Sequence, residues 1–165
     1  AMLIKRATLD QRPEMLLAFV REMVAEVADM MAITAAITHV TGRAVSEPAR
    51  AALAVAELMV AASTPENAVA LAAQVHDVCH AVRDDQADRP VEMLSACASA
   101  VRFGLEIPCR SRHAADAAQQ VWGVKYGVTL SDDQSPGWGD QWTRRLFRRA
   151  LATSAIAAWN RRAPA

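Results

Sequence analysis

Aromatic side chains are scarce in this sequence, at 5% of 165 residues, and runs that combine them with β-branched residues are missing. Strands are built from such runs, so a sheet is not expected. Glycine is rare too, with 6 in the chain. None falls in the G-x-x-x-x-G-K pattern that cradles phosphate or the G-x-S-x-G turn that presents a nucleophilic serine. Charge of one sign is not in excess: 18 Lys and Arg stand against 18 Asp and Glu. A dedicated nucleic-acid binder is usually basic overall, so nucleic acid is not an expected partner. No uncharged apolar run approaches the roughly 18 residues needed to span a bilayer. The start shows no basic segment, apolar stretch and cleavage site of a secretory leader. Membrane association is therefore not expected, and a cytoplasmic location is; Ala1 ahead of Met2 reads as a cloning remnant. The three cysteines, Cys79, Cys97 and Cys109, match no zinc spacing. Buried free thiols in a reducing compartment are the expectation.

What the chain has instead is alanine, about a fifth of all residues, within an apolar share of 53%. Alanine is the strongest helix former. The expected class is all-α: one domain over 1–165, an antiparallel bundle of about six helices.

The longest helix is expected over 13–40. Leu16, Val20, Met23, Val27, Met30, Thr34 and Ile37 recur at spacings of four and three and share one side of it. Arg21, Glu22, Glu26 and Asp29 fall off that stripe. Other helices must cover the stripe, or a second copy of the chain, because its spacing is that of a coiled-coil seam. Asp10 and Pro13 mark the start of this helix and Thr41-Gly42 its end.

Ser46 caps a second helix whose apolar side carries Leu53, Ala54, Ala56, Leu58 and Val60. Thr64, Pro65 and Glu66 supply the cap, first-position proline and acidic first turn of a third. It runs to about Arg83 and carries Val69, Ala72, Ala73, Val75, His76, Cys79 and His80. A fourth opens at Asp88-Arg89-Pro90 and is expected to stop at Gly104. Ser111 caps a fifth. Residues 123–139, broken by Ser135-Pro136-Gly137, read as a long loop, the kind of segment that often carries function. Asp140 caps a last helix to about Asn160, anchored by Trp142, Leu146, Leu151, Ile156 and Trp159.

Two clusters bear on chemistry. His76 and His80 lie four apart, on one helical face, the spacing that lets two imidazoles bind one zinc. The zinc-protease pattern H-E-x-x-H has Glu where Asp77 stands, and Asp is a methylene too short to reach a metal-bound water well. A third ligand would come from His39, Cys109, His113 or Asp116. The chain also resembles HD-type metal phosphohydrolases in having His39, then His76-Asp77 after an apolar helix, with Asp116 or Asp140 as the distant acid. Both resemblances imply a metal-dependent hydrolase centred on His76, Asp77 and His80. The plainer reading packs one histidine in a helix interface and leaves the other, with Asp77, in solvent.

The second cluster is in the last third. Arg144, Arg145, Arg148 and Arg149 form two columns on the final helix, beside Trp122, Tyr126, Trp138, Trp142 and Trp159. Trp, Tyr and Arg dominate protein interfaces, so Trp122, Tyr126, Trp138, Trp142 and the four arginines are candidate partner contacts. The plainer reading has the arginines solvated or paired with Glu22, Glu26 and Asp29, and the tryptophans as core.

Residues 71–122 carry a family resemblance. Arg89-Pro90-Val91-Glu92-Met93-Leu94 opens a helix, Gly104-Leu105-Glu106-Ile107 closes it, and Arg112, Ala114, Ala115, Ala117 and Ala118 begin the next. This stretch resembles the small, Ala-rich, all-helical immunity proteins of bacterial polymorphic toxin systems. Val101 and Phe103 stand where that family commonly has a Trp, and 123–139 is an insertion. The resemblance implies a bacterial protein that neutralises a cognate toxin by occluding it, without catalysis or cofactor. A non-catalytic protein-binding module is thus the expected function, with a metal hydrolase and a helical homodimer as the alternatives.

Overall fold

A computed structural model describes residues 13–82 and 88–106, together with Val121, Arg149 and Ala152. The chain is all-α, and the described residues contain no strand. Five helices follow in order: α1 Pro13–Ala36, α2 Thr38–Thr41, α3 Glu47–Val60, α4 Pro65–His80 and α5 Arg89–Glu106. The fifth and sixth expected helices and the 123–139 loop lie outside the described residues, save for Val121, Arg149 and Ala152, which are helical.

Side-chain caps start the helices where the sequence places them. Ser46 Oγ accepts from the Ala49 N–H at 3.1 Å and Thr64 Oγ1 from the Asn67 N–H at 3.2 Å. Asp88 Oδ1 accepts from the Val91 N–H at 3.3 Å and so caps α5. Each such bond satisfies a donor that the helix itself leaves orphaned, a contribution of about 1 kcal/mol. The Ser46 hydroxyl also donates to Asp88 Oδ2. That bond joins two caps, so α3 and α5 begin at the same end of the bundle. The connection Ala61–Thr64 is too short for anything but a reversal, and α4 runs back against both.

α5 touches α1, α3 and α4, and burial follows. Val91, Met93, Leu94, Ala96, Cys97, Ala98, Ala100, Val101 and Gly104 are all inside. Gly104 does not end this helix, which continues to Glu106; glycine is tolerated here as a buried position within the helix. On α3 the inner face is Ala49, Ala52, Ala56, Met59 and Val60. Leu53 is half-buried, while Ala54 and Leu58 point to solvent, contrary to expectation. On α4 the buried residues are Ala68, Ala72, Val75 and Cys79; Val69, Ala73 and His76 are half-buried and His80 is exposed. The small alanines let α3, α4 and α5 pack closely around Phe19, Met15, Leu16, Met23, Met59, Met93 and Leu94.

The first half of the α1 stripe is core: Leu16, Val20, Met23 and Val27 are fully buried. The second half is not. Met30 and Thr34 are only partly covered and Ile37 is exposed. Relative helix length explains the change. Arg21 Nη2 donates to the Val60 carbonyl oxygen at 2.8 Å, tying the first half of α1 to the end of α3. From that tie the two helices run in opposite directions, and α3, with 14 residues against 24 in α1, reaches its first residue opposite about Thr34. At 1.5 Å per residue, whatever follows overhangs.

The overhang is also where α1 is interrupted. Expected as one helix to Val40, it breaks at Ile37 (φ −107°, ψ 13°) and resumes as α2. Thr34 Oγ1 donates to the Met30 carbonyl and Thr38 Oγ1 to the Thr34 carbonyl, each at 3.0 Å. Threonine back-bonding of this kind bends helices. Gly42 then ends the segment in the left-handed conformation (φ 67°), its N–H bonded to the Thr38 carbonyl at 2.8 Å.

Candidate functional site

His76 lies in the α4–α5 interface. Ser95 Oγ is 3.4 Å from its Nδ1 and Ser99 Oγ is 3.4 Å from its Nε2. Ser95 and Ser99 are four apart on α5, so both face the ring. A neutral imidazole has one N–H and one lone pair, so one serine accepts from it and the other donates to it. Burial, then the positive charge of Arg102 and the neighbouring His80, hold the His76 pKa below its ordinary value, and Asp77 opposes them. The His80 ring stacks on it with centroids 6.1 Å apart. His80 and Asp77 are exposed.

This arrangement serves neutral packing better than metal binding. Both ring nitrogens of His76 already face hydroxyls, so a metal would have to displace one. Among the described residues no three His, Cys, Asp or Glu side chains come together in a group that could hold a metal ion, and His76, Asp77 and His80 do not form one. His39 sits on α2, and Cys109, His113, Asp116 and Asp140 lie outside the described residues. Of the cysteines, Cys79 and Cys97 are free and buried. Burial and the nearby Asp88 push the Cys79 thiol up to about 11, and burial pushes Cys97 up to about 12. Neither is a thiolate nucleophile at neutral pH.

Of the candidate partner contacts, Trp122, Tyr126, Trp138, Trp142, Arg144, Arg145 and Arg148 lie outside the described residues. Arg149 is described, and its Nε meets Glu22 Oε2 of α1 at 3.1 Å, with the arginine side chain 58% and the glutamate 15% exposed.

The site that sequence reasoning missed is the overhang. Ile33 is 61%, Ile37 42% and Val40 75% exposed. Their spacings of four and three place them on one side, with Ala36 beside them. Ala32, Ala35, Ala36, His39 and Thr41 are exposed as well. No Asp, Glu, Lys or Arg occurs from Met30 to Gly42. An uncharged helix end that exposes three large aliphatic side chains together is ordinarily covered. The signal was present as that charge-free interval, between Asp29 and Arg43.

No helix among the described residues is long and apolar enough to cross a membrane. Comparison with known proteins finds no matching family model, no matching characterised protein and no matching solved structure.

Proposed function

We propose that this chain is a cytoplasmic, non-catalytic helical module that binds protein through the uncovered end of α1 and α2. The observation that carries this reading is the exposure of Ile33, Ile37 and Val40 on a segment without charge. Clustered apolar exposure of this kind marks protein contact surfaces. Neutralisation of a bacterial toxin by occlusion is the narrower form of the reading, and it rests on the resemblance of residues 71–122 to immunity proteins. In that form the Trp, Tyr and Arg set of the last third supplies a second contact surface, with Arg149 braced by Glu22.

The test compares wild type with Ile33→Glu/Val40→Glu as baits in lysate of the source organism, after circular dichroism shows equal helix content. A protein enriched by wild type and not by the variant is the expected result. Identical recoveries would contradict the reading. Elemental analysis of the same wild type and of His76→Ala/His80→Ala bears on the hydrolase alternative. About one equivalent of zinc, iron or manganese, lost in the variant, would overturn the non-catalytic reading in favour of a hydrolase.

A further inference from the structure

We infer that the overhang of α1 and α2 pairs with the same segment of a second copy of this chain, antiparallel across a two-fold axis. The inference rests on the reading of this surface as a docking site and names its occupant. The first ground is charge. The apolar ridge is bounded by Asp29 at one end and Arg43 at the other, and both are exposed. Neither side chain has an ion-pair partner among the described residues. A uniformly acidic or uniformly basic partner would satisfy one end of such a ridge and repel the other. An antiparallel copy satisfies both, because each Asp29 meets the Arg43 of the other chain.

The second ground is register. Asp29 and Arg43 stand equally far along the sequence from Ala36, and Ile33 and Val40 almost equally. An antiparallel pairing centred near Ala36-Ile37, where the helix bends, brings each Ile33 toward the other copy's Val40 and each Asp29 toward the other copy's Arg43, which follows the Gly42 turn. The small Ala36 side chain at the crossing lets the two helices approach. Leu16, Val20, Met23 and Val27 take no part, since they are buried within one chain. The coiled-coil seam expected over Leu16–Ile37 is thereby reduced to its last turns and extended to Val40. The proposed contact draws on only the last turns of α1 and on α2, and an affinity on the order of 10 µM is expected of it.

Sedimentation velocity of the full chain from about 1 to 200 µM tests this, using wild type, Asp29→Arg, Arg43→Asp, the double reversal and Val40→Glu. Expected are a concentration-dependent doubling of mass in wild type and a dimer weakened about fivefold or more by each single reversal. The double reversal should return to within about twofold of wild type, and Val40→Glu should stay monomeric. A wild type that is monomeric throughout overturns the pairing, as does a dimer indifferent to the single reversals or one not rescued by the double. If wild type is monomeric yet Ile33→Glu/Val40→Glu still loses a lysate partner, the pairing falls while the docking reading stands. If neither occurs, both fall.

Discussion

Ser46 and Asp88 show how single residues set the architecture. Each caps its own helix, and the bond between them ties the starts of α3 and α5. Either residue changed to Ala should lower stability by about 1–2 kcal/mol in urea denaturation. The double variant should cost less than the sum of the two, by at least about 0.5 kcal/mol, because the shared bond is lost only once. Additive costs would mean the caps act independently. His76 makes a second residue-scale prediction. Its pKa is depressed on folding, from an ordinary 6.5, mainly by burial. Below that value the unfolded chain takes up a proton that the folded chain resists. Stability should therefore hold above pH 6.5, fall as pH drops below it, and stop falling once the folded-state pKa is passed. His76→Gln should flatten that limb; an unchanged pH profile would show that the histidine is not the group responsible. The caps Ser46 and Thr64 were legible in the sequence because capping is local, a side chain and an amide three residues on. The serines around His76 were not. Ser95 and Ser99 are distant in sequence, and only the packing of α5 on α4 aligns their four-residue spacing with the ring.

At the scale of the element, α1 divides at about Met31 into a buried helix and a bare one. Val27→Ala, in the fully buried half, should cost about 2 kcal/mol. Ile33→Ala, with the side chain 61% exposed, should stay within about 0.5 kcal/mol when measured in dilute solution. Thermal unfolding of the two variants checks the contrast, and equal costs would place Ile33 inside the core. The 3.6-residue pattern that revealed α1 was right about its buried half, and the composition alone carried the all-α class. The pattern overran at its end because periodicity records which residues share a side, not whether a neighbour is long enough to cover them. That depends on α3 being shorter and on the Arg21–Val60 tie, neither of which leaves a periodic trace. The misplaced stop at Gly104 has a similar cause. Glycine ends helices by adopting positive φ, as Gly42 does, but it also occurs at buried positions inside a helix, as Gly104 does.

For the whole molecule, the described core is apolar throughout, with no buried polar or charged residue among the described residues. The titratable groups shifted there are one half-buried histidine engaged with serines and two thiols made inert by burial. Against that background the feature calling for explanation is the charge-free end of α1, and the account centres on its being covered by protein. The direct measurement places a photo-crosslinking amino acid at Val40, and in a control at the exposed Glu57 of α3, in chain expressed in cells of the source organism. The account predicts an efficient adduct at position 40 and little or none at position 57, with a mass of two chains where the partner is a second copy. Equal, background-level labelling at both positions would contradict it.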